Sequence, residues 1–158
     1  MIRYEFDATV SPADIADLRQ AVGWNRMERD LSDPRLTTTL QLCAYDENHL
    51  IGYAQVVSNH VTDAYIQDVM VHPDYQRKGI GSRLMDAAEQ IAAQHADTVC
   101  LGVGLCREYG SAQRMYAKRG YIPDGSGVWY QDKPCVQYET VCTVDDDLVL
   151  YLLKRLRG

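Results

Sequence analysis

The chain has 158 residues, 46% hydrophobic and 24% charged, with 11 Gly and 5 Pro. That is the length of about one domain, able to bury roughly two-thirds of its unfolded surface. Its 22 acidic and 16 basic residues leave a net charge of −6. This argues against nucleic acid as a partner, because such binders cluster Lys and Arg to release counterions. The run 148–153 is among the longest apolar stretches, far short of the roughly 20 residues that span a membrane. Glu5 and Asp7 stand where a signal peptide would be apolar. A soluble, cytoplasmic single domain over residues 1–158 is expected.

Residues 2–8 alternate weakly and predict a first strand. Ser11 and Pro12 open a helix, as N-cap and first helical residue. Ile15, Leu18 and Val22 form its apolar stripe, and Gly23 stops it. A short second helix follows over 25–31, closed by Asp33-Pro34. Residues 37–45 and 50–57 read as a hairpin across Asp46-Glu47-Asn48-His49, and 64–71 as a further strand. The pattern then turns helical from 81 to about 95, with Leu84, Ala88 and Ile91 on one side. An apolar strand over 98–105, a helix over 111–119 ended by Gly120, and a last strand over 148–156 complete the chain. Strand, helix and strand across 64–105 imply a right-handed parallel crossover.

Cys43, Cys100, Cys106, Cys135 and Cys142 show no C-x-x-C spacing. Several lie in strand-like runs, so they read as buried thiols of a reducing compartment. His49, His60, His72 and His95 have no helical i, i+4 partner, and no metal site is expected.

The chemistry concentrates in residues 69–90. A strand ends at Val69-Met70-Val71, and Gln76-Arg77-Lys78-Gly79-Ile80-Gly81 leads directly into a helix. Glycines there let backbone N–H groups converge at the positive helix end, a cradle for phosphate or pyrophosphate. Neither the P-loop pattern nor G-x-G-x-x-G is present. The pattern V-x-V-x-P-x-x-Q-x-x-G-x-G before a helix resembles the acyl-CoA-binding motif of the GNAT (GCN5-related N-acetyltransferase) superfamily. Ser111–Tyr121 is similar to that family's A-x-x-x-Y-x-K-x-G-[FY] helix. The order of elements matches along essentially the whole chain.

The resemblance implies an α/β (α+β) fold: a central mixed, mostly antiparallel sheet flanked by about four helices, with one parallel crossover at the cofactor site. It implies an acetyl-CoA-dependent N-acetyltransferase in which an acceptor amine attacks directly in a ternary complex. The backbone of Val69, Met70 and Val71 would pair with pantetheine amides. The Gln76, Arg77, Lys78, Gly79, Ile80 and Gly81 amides, with Ser82, would hold the pyrophosphate, with charge from the Arg77 and Lys78 side chains. Tyr116 would assist the leaving thiol. Proton transfer from an ordinary tyrosine to a thiolate is uphill by roughly 1.5 pKa units, about 2 kcal/mol, so Tyr116 acts as a perturbed acid or as a hydrogen-bond donor.

The resemblance also calls for a base, often a Glu on the strand entering the cofactor site, and no Glu lies between Glu47 and Glu89. Asp68 is the candidate base or substrate anchor. Period-2 alternation puts it on the face opposite Gln67. Tyr109 stands where many relatives carry Asn. Trp24 and Tyr130, near the first helix–helix junction and in a loop before the last strand, are candidate acceptor contacts, suited to a cation or aromatic amine. Asp145-Asp146-Asp147 reads as a turn cap or an acidic lip. The acceptor is a small-molecule or peptide amine, and the resemblance allows a homodimer. The absent strand Glu keeps open a non-catalytic acyl-CoA-binding or sensing domain.

Overall fold

The computed structural model describes residues 1–157, with the backbone alone at 37 and 38. The chain packs as two compact units, Met1–Ala96 and Asp97–Gly158.

The first unit contains β1 (Ile2–Phe6), α1 (Pro12–Ala21), α2 (Glu28–Leu31), β2 (Leu40–Asp46), β3 (His49–Ser58), β4 (Asp63–Val71) and α3 (Ile80–Ala92). Its four strands form an antiparallel meander in chain order. Pro12 holds the first position of α1 and Asp14 favours its positive end, but the Ser11 side chain makes no capping bond. Pro34 starts a 3-10 turn that runs to Thr38, so β2 begins at Leu40 rather than at 37. The stripe of α1, Ile15 and Leu18, packs with Val10, Cys43, Tyr53 and Met70.

α3 packs on the alternate positions of the same strands. Gly52 of β3 makes that approach close. A Cβ there would lie 2.8 Å from Ile80 Cγ2 and 3.2 Å from Leu84 Cδ1. Gly52 therefore sets the depth at which the first turn of α3 seats on the sheet. Among the described residues no helix is long and apolar enough to cross a membrane.

The second unit contains β5 (Thr98–Gly104), α4 (Gly110–Lys118), β6 (Ile122–Tyr130), β7 (Lys133–Pro134) and β8 (Leu148–Arg155). The antiparallel order is β5-β8-β6-β7. Here the structure corrects the sequence reading: residues 127–130 belong to a strand, not to a loop. The segment Pro123-Asp124-Gly125-Ser126-Gly127 carries turn chemistry, with Gly125 and Gly127 at positive φ. Yet β6 pairs with β8 on both sides of it, at 122–123 and 128–130. An irregularity absorbs the turn residues without ending the strand.

Candidate functional site

The loop after β4 is built from the backbone outward. His72 N–H donates to Ile51 O at 2.8 Å, and Tyr75 N–H to His72 O at 2.9 Å, which makes a 3-10 turn over Pro73–Tyr75. The Gln76 amide is engaged within this turn at 3.3 Å from Pro73 O. Its side chain donates to Val71 O at 3.1 Å and closes the loop onto the strand. The Tyr75 hydroxyl donates to Asp46 Oδ2 at 2.7 Å, anchoring the loop to the β2–β3 hairpin. Lys78 Nζ lies 4.7 Å above the Tyr75 ring.

Two left-handed residues then shape the approach to α3: Arg77 at φ 62° and Gly79 at φ 81°. Left-handed residues set among right-handed or extended ones turn N–H groups toward one concavity, the arrangement that receives anions. Gly79 caps α3 with no side-chain bond, and no acidic residue occupies the first turn. The positive end of a 13-residue helix is thus offered to solvent. Arg77, Lys78, Gly79, Ser82 and Arg83 are exposed around it, while Ile80 is buried and pins the helix to the sheet. Of the strand residues assigned to pantetheine, Met70 is buried and Val69 and Val71 are half-buried.

Asp68 lies in a β-bulge. Gln55 pairs with Gln67 and Tyr53 with Met70, so Asp68 and Val69 together oppose Ala54. The bulged residue is Asp68 itself, at φ 53°, a left-handed conformation that Asp tolerates better than most residues. The bulge overturns the expected alternation. Gln67 donates to Gln55 Oε1 at 3.0 Å on the α1 side of the sheet. Asp68 reaches that side too, with Oδ2 3.4 Å from Arg19 Nη1 of α1.

Arg19 is only 8% exposed, and its guanidinium is surrounded. Nε donates to Asn25 O at 2.8 Å, and Nη2 to Asn25 Oδ1 at 3.1 Å and to Met27 Sδ at 3.2 Å. It also lies 5.2 Å from the centre of the Trp24 ring. Burial pushes the Asp68 carboxyl above the usual carboxylate range, and the Arg19 charge opposes that shift. The Tyr53 hydroxyl is fully buried nearby, beside Gln55. Burial drives its pKa upward. The sequence reading missed Arg19. Its signal was a charge at position 19, which continues the 15–18–22 stripe where an apolar residue belongs.

In the second unit Tyr116 is buried on α4, 5% exposed, with its ring 5.8 Å from that of Tyr121 in a T-shaped contact. Gly120 N–H bonds Ala117 O and Tyr121 N–H bonds Tyr116 O, with Gly120 at φ 88°. This is a Schellman end, and the ring contact is the apolar pair that accompanies it. Tyr109 caps the start of the same helix with its ring against Gly104, where a Cβ would fall 2.5 Å away. Its hydroxyl donates to Asp146 at 2.9 Å.

Tyr130 donates to Asp145 at 3.2 Å, and Asp147 N–H bonds Asp145 Oδ1 at 3.0 Å. The three aspartates therefore act as bracing for the turn into β8. Trp129 donates to Ser126 Oγ and stacks edge-on against Tyr151. The structure thus ties Tyr130 into the frame of its own unit, as it ties Trp24 to Arg19. Burial holds the Cys43 thiol up at about 11, so it stays protonated. Among the described residues no group of three or more His, Cys, Asp or Glu gathers as a metal cluster.

Comparison with known proteins agrees on one family. The model of the acetyltransferase (GNAT) family matches residues 5–121. An uncharacterized N-acetyltransferase, ycf52, of Gracilaria tenuistipitata var. liui is 28% identical over 137 residues, 79% of this chain and 71% of that protein. Among solved structures, the ribosomal-protein-S18-alanine N-acetyltransferase from Escherichia coli superposes with a TM-score of 0.73 at 17% identity, covering 100% of this chain and 96% of that one. An aminoglycoside 6'-N-acetyltransferase complexed with coenzyme A gives 0.68 at 16% identity, covering 100% and 98%. At such identities these likenesses concern the fold, and they carry the mixed, mostly antiparallel sheet and the four helices along the whole chain.

Proposed function

We propose that this chain, which belongs to the acetyltransferase (GNAT) family, moves the acetyl group of acetyl-CoA to a primary amine by direct attack in a ternary complex. The observation that carries this reading is the 76–82 loop. Arg77 and Gly79 are left-handed there, the first turn of α3 holds no acid, and the exposed side chains are basic. Those features fit a pyrophosphate. The backbone amides after Gln76 would hold it, with Ser82 beside them and charge from Arg77 and Lys78. The Val69, Met70 and Val71 backbone would serve the pantetheine arm.

Acetyl-CoA supplies an activated acetyl thioester. The acceptor nitrogen forms the new C–N bond as the C–S bond breaks; one proton leaves nitrogen and one reaches sulfur. An alkylammonium has a pKa near 10.4 and must lose its proton before attack. Asp68 receives the acceptor as anchor and base, and the burial that raises its pKa narrows the gap to the amine. Tyr116 supports the departing sulfur as a hydrogen-bond donor. Trp24 and Tyr130 stand as acceptor contacts through the groups that orient them. The cysteines have no part in a direct transfer, in keeping with the protonated Cys43. Cys43 and Cys106 are buried thiols, which suits a cytoplasmic setting, whereas Cys100 and Cys135 are half-buried and Cys142 is exposed, against the expectation that the cysteines are buried. The solved relatives are named for an aminoglycoside and for a ribosomal-protein alanine, so both small-molecule and peptide amines belong in the test.

The first test is a thermal shift with acetyl-CoA against an ATP control. At a hundred times Kd a ligand adds about 2.7 kcal/mol, a rise of roughly 5–11 °C at this size. A selective rise, followed by CoA release with one of the amines, supports the reading; no shift at millimolar acetyl-CoA overturns it. Replacing Tyr116 with Phe should lower kcat by about 10²-fold or more if the hydroxyl takes part in proton transfer, with acetyl-CoA affinity unchanged. Equal turnover in the variant removes that role.

A further inference from the structure

Among the described residues the buried polar side chains outside the tyrosines are Arg19 and Gln55, and both lie around the bulge of β4. Arg19 occupies a stripe position of α1 at which a leucine would pack without losing any hydration. Replacing a buried ion pair with apolar residues is often neutral or stabilising. Stability alone therefore gives a weak reason for a charge here. The geometry gives a better one: a single guanidinium joins Asp68 of β4 to the backbone and side chain of Asn25 and to Met27. It sits in the last turn of α1, where a cation is favoured by the helix dipole.

We propose that Arg19 is a positioning residue of the transfer reaction. It holds the Asp68 carboxylate in the bulge and ties it to the 24–27 segment, so that the acceptor's ammonium meets an ionised and oriented carboxylate. The inference rests on the reading in which Asp68 receives the acceptor amine. A bulged residue in a left-handed conformation is held by its surroundings rather than by the strand, and Arg19 supplies the hold from the side of α1. The titratable groups on the same side are Tyr53 of β3 and Cys43 and Tyr45 of β2. All three stay neutral across the acid range, raised by burial, Cys43 to about 11 and Tyr45 to about 12. Arg19 is thus the charge that holds Asp68 toward its ionised form against burial.

The experiment combines Arg19→Met, Asp68→Asn, the double variant and Arg19→Lys. The readouts are the carbon-13 NMR titration of the Asp68 carboxyl and the pH profile of kcat/KM with an accepted amine. Loss of the cation should move the Asp68 titration upward by about one pH unit or more, and the acid limb of kcat/KM should move with it. Acting through Asp68, Arg19→Met should cost about tenfold or more in kcat/KM, and the double variant should lose no more than the worse single one. Arg19→Lys keeps the charge but not the fork. It should restore the titration while acceptor KM stays raised, and it remains informative if Arg19→Met does not fold.

Additive losses in the double variant, or an unmoved Asp68 titration in an active enzyme, overturn the inference and leave the acetyl-transfer reading standing. A wild-type protein that binds acetyl-CoA yet releases no CoA with any amine overturns both.

Discussion

The loop at residues 72–82 and the bulge at Asp68 are neighbours in the chain and opposites in construction. The loop works through backbone. Its shape comes from left-handed Arg77 and Gly79, its charge from helix amides with the Arg77 and Lys78 side chains beside them, and Gln76 and Tyr75 brace it on Val71 and Asp46. The bulge works through side chains brought in from elsewhere: Arg19 from 49 positions earlier, and the 24–27 segment that Arg19 holds. The loop needs little beyond its own residues and a helix to point at. The bulge has meaning only once α1 has docked. An anion site made of amides is insensitive to titration, whereas a site made of a half-buried carboxylate and a buried guanidinium is governed by it.

Three variants test that contrast, in falling order of expected effect. Gly52→Val should be the most damaging. The added carbons enter space already held by Ile80 and Leu84, and overpacking of this kind costs about 1–3 kcal/mol. Because it displaces the first turn of α3, it should also weaken acetyl-CoA binding, as read by denaturant unfolding and by thermal shift. A stable variant with full acetyl-CoA affinity would show that the loop does not depend on the depth of α3.

Gly79→Ala comes next. Nothing lies within 4 Å of the added methyl, so the strain is conformational, about 1–2 kcal/mol for a left-handed L-residue. The same two measurements should show a stability loss accompanied by weaker acetyl-CoA binding, with Asp68 titrating as before. A changed Asp68 titration would break the separation of the two regions.

Asp68→Asn should have the smallest effect on acetyl-CoA binding and should show its effect on stability as a slope against pH. The folded-state pKa of Asp68 is raised above the ordinary 3.8, so the native protein binds more protons than the unfolded chain in that window. The Asp68 contribution is complete below 3.8, is lost as pH rises through the raised value, and is level beyond it. Unfolding free energies measured from pH 3 to 7 should therefore show the wild type losing ground to the Asn variant across the acid window. Parallel curves would mean that Asp68 titrates at its ordinary value.

Much of this molecule is legible one segment at a time. Gln76–Gly81 declares a glycine loop running into a helix because glycines and a following helix are local facts, and the Tyr116–Tyr121 run declares a helix with a glycine end for the same reason. The strand β6 was misread because Pro123, Gly125 and Gly127 carry turn chemistry, while the partner that keeps the strand extended, β8, begins only at Leu148. Asp68 was found as a residue and misplaced as a geometry: alternation holds only while each residue opposes one partner, and here two oppose Ala54. Arg19 left one trace, a charge in an apolar stripe, which has no meaning until its counter-charge is known.

By itself, then, the sequence determined the family motif, the glycine loop before α3 and most of the run of elements, because these depend on dihedral preferences and on hydrophobic spacing within a few residues. Only the tertiary structure decided which face Asp68 occupies, what holds it there, and how deep α3 sits over Gly52. Those outcomes depend on contacts between segments far apart in the chain, and no local pattern carries the identity of a distant neighbour.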